Sequence, residues 1–347
     1  MRLFLLIFAA SIIQFNISQP ALATGKSKKT NSNEVVTYSQ LPRNLQFFAR
    51  DIQDSANVVF SGNLYTAGFD SAYIEVYKNN ALWKRKSSRL NYISGNASFN
   101  LTEKIHAELS EYKFLLFIKD ITGTNIVQLQ NADSLVCGDA YIISGQSNSH
   151  NTNDTATYKN EFCRSFGVQT PNGNIDNYNP ADTNWGLSKA VLYGGNQWTG
   201  PYNVGVWGLY LQKQIVDSTG IPTCIINGGR RGSTIEINLR NESNQTDLSS
   251  IYGKLLYRVN KSGLAGNIKA IFWYQGESNG DASYMNYESN FRTLYNSWKE
   301  NYPEFKKIFF FQVRQGCNGN LSGGLLREVQ RQLIYKYPEI EMISTMG

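Results

Sequence analysis

Residues 141–150 read YIISGQSNSH, and this stretch decides how the second half of the chain is interpreted. Strand-forming residues run directly into a glycine and a serine that is flanked by two amides. Glycine and asparagine alone would suffice for a plain turn. A strand that ends at Ser147 would instead hold the hydroxyl rigidly, and small or polar neighbours would let a substrate carbonyl approach. Ser147 is therefore a candidate nucleophile, and a turn residue is the alternative.

The pattern after residue 135 predicts buried strands that alternate with helices. Strands are expected at 140–144, 222–226, 268–274, 308–313 and 340–344. Helices are expected at 204–219, 284–300 and 325–337, and a long loop at 148–203. Apolar strands that alternate with helices are typical of a parallel sheet covered on both faces. Such sheets bind ligands at the carboxyl ends of their strands.

Glycine with amide or hydroxyl side chains follows each of the first four predicted strands, at 145–148, 227–234, 275–279 and 314–317. One such end is an ordinary turn, but four at the same edge of a sheet indicate a site. There the N–H of Gly232 would point at an oxyanion, or the glycine would only shape a tight turn. The Gln275 amide would donate to the same oxyanion, or would bond loop backbone instead.

Three segments together resemble one family of enzymes: GDAYIISGQSN at 138–148, RGSTIE at 231–236 and IFWYQGESN at 271–279. They look like the sialate O-acetylesterase group of the SGNH hydrolases, which is related to the acetylxylan esterases. The resemblance implies a three-layer αβα, flavodoxin-like fold with a parallel sheet over residues 136–347. Arg231 stands where the family often has the first glycine of its second motif.

The same resemblance implies roles for the matching residues. Ser147 is expected to be the nucleophile, and the oxyanion hole is expected to comprise Ser147, Gly232 and Gln275. The side chains expected to support the site are Gln146, Asn148, Glu277 and Asn279.

The chain departs from the family in its general base, which is usually a histidine near the C-terminus. No histidine follows His150, and the sequence ends on or just past the fifth predicted strand. His106 falls among strand residues of the first half and is expected to be structural or exposed. His150 would be an unusual base, because the imidazole normally approaches the serine from a separate element. We therefore expect a C-terminally incomplete domain, with the catalytic histidine beyond Gly347.

The segments before residue 136 predict an export signal and a separate module. Residues 1–23 combine a basic start, a short apolar core and a small-x-small site, which is typical of a secretory signal peptide. That apolar run is too short to span a bilayer. Residues 24–34 are polar and are expected to form a disordered linker. Residues 35–135 predict an all-β sandwich, with strands at 58–62, 72–77, 113–118 and 125–129.

Composition argues against several classes of function. The 347 residues carry a formal net charge of +6 without a basic helix or an Arg-rich run, so nucleic acid is a poor candidate partner. No cysteine has the spacing of a zinc site, and no metal or cofactor is expected. Cys137 and Cys224 lie in apolar, strand-like stretches and are expected to be free buried thiols. Cys163 and Cys317 lie in polar sequence and are the better candidates for a disulfide, although three connectivities are possible.

These features favour a secreted, periplasmic or cell-surface carbohydrate O-acetylesterase whose partner is an acetylated sugar. Two alternatives stay open. The first is a carbohydrate-binding protein with an inactive hydrolase domain, which the missing histidine favours. The second is a lipid or aryl esterase, which would need an apolar acyl groove, whereas residues 148–203 are rich in Asn, Thr, Gly and Tyr. The oligomeric state, the sugar and the position of the ester are not predicted.

Overall fold

The structure is a computed structural model that describes residues 36–149, 156–168, 179–190, 201–314 and 323–345. All of these belong to one compact unit, Val35–Gly347. The predicted signal peptide and linker lie outside the described residues. Within the described part of the chain, no helix has the length and apolarity needed to cross a membrane.

The first half of the described chain is built from strands. They are β1 (Val36–Gln40), β2 (Phe47–Ala49), β3 (Ser55–Leu64), β4 (Ser71–Lys78), β5 (Ala81–Arg89), β6 (Tyr92–Ile93), β7 (Asn96–His106) and β8 (Tyr112–Lys119). Of these, β3 and β8 alternate buried and more exposed residues most regularly. One antiparallel group has the order β1-β3-β7-β6, and in the other β4 lies between β5 and β8. Phe60 of β3 stacks on Phe114 of β8 at 5.8 Å, so the two groups share one apolar core. The four strands predicted in this half are confirmed.

One long strand, β9 (Ile126–Gly145), joins this half to the rest of the chain. Its first part pairs antiparallel with β8, and its last part pairs parallel with strands of the second half. The boundary expected between residues 135 and 136 falls inside this strand. β2 also pairs parallel with β9, from Phe47 opposite Val136 to Ala49 opposite Gly138.

The second half forms a mostly parallel sheet with the order β11-β10-β12-β9-β13-β14-β15. Its further strands are β10 (Cys163–Phe166), β11 (Trp185–Leu187), β12 (Thr223–Asn227), β13 (Ile268–Tyr274), β14 (Lys307–Gln312) and β15 (Ile340–Ser344). Among the described strands in this order, only β11 is antiparallel to its neighbour. The five strands predicted in this half are confirmed, whereas β10 and β11 lie in the stretch that we expected to be a loop.

Helices pack on both faces of this sheet. They are α1 (Val206–Thr219), α2 (Ile251–Ser262), α3 (Tyr287–Asn301) and α4 (Gly323–Leu333). Ile143 shares a core with Leu209 of α1. Ile142 faces the opposite side, because successive strand residues alternate, and it shares a core with residues of α2, α3 and α4. The three predicted helices are confirmed, with ends that differ by a few residues.

Helix α2 was not predicted from the sequence, although its signals are present. Ser250 caps its start, since its hydroxyl accepts from the Gly253 N–H at 2.9 Å. Gly263 ends it in the left-handed region, at φ 75°. The apolar face comprises Tyr252, Leu255, Leu256 and Val259.

Candidate active site

The serine of the first motif sits where β9 ends beside β13. Gly145 has φ 135°, and a Cβ there would lie 2.1 Å from the Tyr274 carbonyl oxygen, so only glycine allows the two strand ends to approach so closely. The Gln146 N–H then donates to the same oxygen at 2.9 Å. The chain turns at once into a short 3-10 helix, Ser147–Ser149, which Ser149 closes through its N–H and hydroxyl on the Gln146 carbonyl.

Ser147 itself is half-buried at the start of this turn. Within the described residues, neither its hydroxyl nor its N–H is hydrogen-bonded. Its exposed neighbour Asn148 is held from two sides: the carbonyl accepts from Trp207 Nε1 at 2.9 Å, and the side-chain amide donates to Glu277 at 2.5 Å. The surroundings thus fix the turn while leaving the polar groups of Ser147 available to a substrate.

The loop after β12 packs directly against the serine's turn. Asn227 is fully buried, and its amide donates to the Ser149 carbonyl at 3.2 Å and to the Val204 carbonyl at 2.9 Å. Its side-chain oxygen accepts from the Gly229 N–H. A Cβ at Gly229 would lie 1.8 Å from the Ser149 hydroxyl, so a larger residue there would push the two loops apart.

Gly232 lies further along the same loop, which is attached to the end of β9. The Arg230 N–H donates to the Gly145 carbonyl at 2.9 Å, and the Ser233 hydroxyl reaches that carbonyl at 3.3 Å. Gly232 is exposed and left-handed at φ 69°, and its N–H has no partner among the described residues. The structure therefore brings the first two predicted oxyanion donors to the same edge of the sheet.

Gln275, the third predicted donor, is fully buried, and its side-chain amide points into the loops that follow the strands. Its amide nitrogen contacts three acceptors: Asn279 Oδ1 at 2.7 Å, the Ser233 carbonyl at 3.0 Å and Gln146 Oε1 at 3.2 Å. An amide has two hydrogens, so both are occupied. In this arrangement Gln275 supports the loops, and its predicted role requires the amide to leave one of these acceptors.

The remaining supporting residues tie the three motifs together. Gln146 Oε1 accepts from the N–H groups of Gly276 and Ser278, both at 3.1 Å. Asn279 is fully buried, accepts from the Ile235 N–H at 2.9 Å and donates to the Glu236 carboxylate at 3.1 Å. The loops after β9, β12 and β13 therefore form one hydrogen-bonded unit.

The pKa values of two carboxylates near the site are shifted in opposite directions. Burial raises the pKa of Glu277, and the hydrogen bond from Asn148 only partly offsets it. Burial also acts to raise the pKa of Glu236, but hydrogen bonds to this carboxylate, including those from Asn279 and Asn290, lower it overall. Glu277 is therefore the group near Ser147 whose charge is more costly to maintain.

Two buried residues that were not predicted from the sequence position the strand ends. Arg258 of α2 donates to the Phe166 carbonyl at 2.7 and 3.0 Å and to the Asn227 carbonyl at 2.7 Å, which links the ends of β10 and β12. Gln330 of α4 donates to the Gln275 carbonyl at 3.1 Å. Each lies on the buried face of its helix, and a polar residue at such a position is the signal that would have revealed it.

The histidines and cysteines are placed as follows. His106 ends β7 and is exposed, as expected, and His150 lies outside the described residues. Cys137 and Cys224 are free and buried, which confirms their prediction. The prediction for Cys163 is wrong: it is a free, buried thiol that begins β10 rather than a loop residue in a disulfide. Its expected partner, Cys317, lies outside the described residues. The described residues hold no group of three or more His, Cys, Asp or Glu that could bind a metal ion.

At the carboxyl edge of a parallel sheet, Ser147 has polar groups that no described residue pairs, and the loop of Gly232 is attached to the end of the same strand. This arrangement is suited to ester hydrolysis. Residues 137–347, more than half of the chain, match the family described as "Carbohydrate esterase, sialic acid-specific acetylesterase", and the chain belongs to this family. The protein is therefore a carbohydrate acetylesterase, a hydrolase of carboxylic esters.

Comparison with solved structures gives distant similarity. A carbohydrate acetylesterase from Xanthomonas citri aligns with a TM-score of 0.50 and 20% identity, over 89% of this chain and 68% of that one. A protein from Arabidopsis thaliana aligns with a TM-score of 0.45 and 18% identity, over 60% of this chain and 86% of that one. The Xanthomonas match supports a mixed α/β fold of the kind found in carbohydrate esterases. Comparison with curated proteins finds no match.

Proposed function

We propose that this protein is an exported O-acetylesterase that removes acetyl groups from sugars of the sialic acid or hemicellulose type by serine catalysis. The observation that carries the proposal is the placement of Ser147, whose hydroxyl and N–H are unpaired within the described residues. The family description supports sialic acid as the sugar. Export rests on the sequence of residues 1–23.

In the proposed mechanism, the Ser147 hydroxyl attacks the acetyl carbonyl and loses its proton to a general base. The N–H groups of Ser147 and Gly232 stabilise the tetrahedral oxyanion. The Gln275 amide serves as a third donor by leaving Gln146 Oε1, the longest of its three contacts. The sugar hydroxyl then leaves with the proton, and water hydrolyses the acetyl-enzyme to release acetate. These steps are complete without a cofactor.

We propose a histidine as the general base. His106 does not suit this role, because it is exposed at the end of β7, in the half of the chain away from the three motifs. Among the histidines of this sequence, His150 is the remaining candidate. His150→Ala tests this candidate: retained turnover of an aryl acetate excludes His150, whereas loss of turnover with unchanged stability supports it as the base.

We also propose that the chain divides into an all-β sandwich over residues 35–135 and a three-layer αβα, SGNH-type domain over residues 136–347. The separate apolar cores of the two halves support this division. So does the packing of α1 on one sheet face and of α2, α3 and α4 on the other.

The central test compares two serines of the same turn. Ser147→Ala is expected to reduce hydrolysis of an aryl acetate by about ten-thousandfold or more, because loss of an essential nucleophile costs several orders of magnitude. Ser149→Ala is the matched control, since Ser149 is fully buried and its hydroxyl donates to the Gln146 carbonyl. The control should lose stability and keep most of its turnover. Retention of more than about a tenth of the activity by Ser147→Ala would point to another nucleophile.

A further inference from the structure

A cavity of about 390 Å³ lies on the outer face of the strand pair β4 and β5, away from the serine site. Strand register places Tyr73 opposite Ser87 and Glu75 opposite Arg85, and all four line the cavity. Their neighbours Ala72, Ile74 and Val76 point the other way, into the core. The outer face is therefore built from a separate set of side chains that packing of the core does not require.

The side chains around this cavity are held in defined positions. The Tyr73 ring stacks on Phe117 of β8, with ring centres 5.0 Å apart and planes 14° apart. Lys119 Nζ lies 5.9 Å from the centre of the Tyr73 ring. Glu75 is nearly buried and accepts from Arg85 at 2.8 Å and from the Tyr77 hydroxyl at 2.7 Å. The Tyr73 ring and the cations of Arg85 and Lys119 therefore line the cavity in positions that these contacts already fix.

The charge of the cavity is positive. Its lining includes three cations, Arg85, Lys86 and Lys119, but a single carboxylate, Glu75, which Arg85 already pairs. The Arg85 side chain is still 63% exposed. Within the described residues, Lys119 has no ion pair, whereas Lys86 donates to the Thr102 carbonyl. Arg85 and Lys119 are therefore the cations available to an anionic ligand.

Arg89 and Tyr92 help to line a second cavity, of about 400 Å³. Arg85, Ser87 and Arg89 occupy alternate positions of β5, so they share one face and span about 13 Å at about 3.3 Å per residue. Ile121 borders the second cavity and is 81% exposed. Two cavities lined from the same face of one strand suit an extended ligand better than a single small ion.

We propose that this face of β4 and β5 binds a carboxylate-bearing oligosaccharide. The Tyr73 ring would contact a sugar ring, while Arg85 and Lys119 would pair with the sugar carboxylate, since guanidinium and ammonium groups make strong charge-assisted hydrogen bonds to carboxylates. Bound there, an acidic glycan would be held near the esterase without occupying its catalytic serine. The proposal is independent of the role of Ser147, because it concerns binding and not hydrolysis.

The test measures binding of 3′-sialyllactose by calorimetry, with lactose as the neutral control; neither carries an acetyl ester. Wild-type protein is expected to bind the acidic sugar, more weakly as salt is raised, and lactose at least tenfold more weakly. Lys119→Met should weaken binding of 3′-sialyllactose about tenfold or more, the usual effect of losing a hydrogen bond to a charged group. Tyr73→Ala should do the same, but it also removes the stacking on Phe117, so Lys119→Met carries the test.

Lys104→Met is the matched control, because Lys104 lies on β7 of the other strand group and donates to Gln53. It should bind as the wild type does, and all variants should hydrolyse an aryl acetate at the wild-type rate. Equal affinity for the two sugars, or unchanged binding by Lys119→Met, would overturn the proposal. Concentration-dependent dimerisation that Lys119→Met abolishes would also overturn it, because the face would then bind a second copy of the chain.

Discussion

The buried side chain of Asn279 makes several of the hydrogen bonds that connect the second and third motifs. Its oxygen accepts from the Ile235 N–H at 2.9 Å and from the Gln275 amide at 2.7 Å, and its amide donates to Glu236. Asn279→Ala leaves the Ile235 N–H buried without an acceptor, which costs about 1–3 kcal/mol. Gln275 keeps two other acceptors, so the loss of its hydrogen bond to Asn279 contributes less to the destabilisation. We therefore expect the variant to lose about 2–4 kcal/mol of unfolding free energy.

The matched control is Asn290→Ala. Asn290 also donates to Glu236, at 2.8 Å, but it is half-exposed on α3, and water replaces the lost hydrogen bond. A loss of about 1 kcal/mol is expected. Urea unfolding followed by tryptophan fluorescence suits the comparison, because Trp273 and Trp298 pack together at 5.4 Å in the core beneath this site.

Turnover should separate the two variants as well. The Asn279 variant loosens the loop that holds Gly232, so its hydrolysis of an aryl acetate should fall more than that of the Asn290 variant. Equal unfolding free energies for the two variants, or an Asn279 variant as stable as the wild type, would show that Asn279 does not hold the loops together.

Three further predictions concern charge, the third oxyanion donor and the thiols. Burial raises the pKa of Glu277, so the native state holds this proton more tightly than the unfolded chain does, and stability falls as pH rises above the ordinary value of 4.5. In urea titrations, Glu277→Gln should therefore gain stability relative to wild type as pH rises above that value. Gln275→Ala should lower turnover of an aryl acetate about a hundredfold, and an unchanged rate with reduced stability would leave Gln275 as a loop support. Burial raises the pKa of the Cys137 and Cys163 thiols to about 12 and that of Cys224 as well, so native protein should resist iodoacetamide while unfolded protein reacts; rapid labelling of the native protein would contradict their burial.

Most strands and helices of the second half could be predicted from the sequence, because the patterns that indicate them lie within short segments. Strands such as 268–274 are nearly continuous apolar runs, and glycine and polar residues that are unusual in a buried sheet follow them. The same logic placed Ser147 and Gly232 at the carboxyl edge of the sheet, since parallel strands bring their ends together. Helix α2 could have been found in the same way, from the cap at Ser250 and the spacing of its apolar residues.

The sequence by itself determined which residues meet at this edge, because motif and periodicity are properties of neighbouring positions. It did not determine what each polar group does there. Gln275 was expected to face a substrate, and only the packed loops show its amide held by Asn279, Ser233 and Gln146. Likewise, Cys163 looked like a loop residue until β10 joined the sheet beside β12. A hydrogen bond joins atoms from distant segments, so its direction is fixed only when the tertiary fold brings donor and acceptor together.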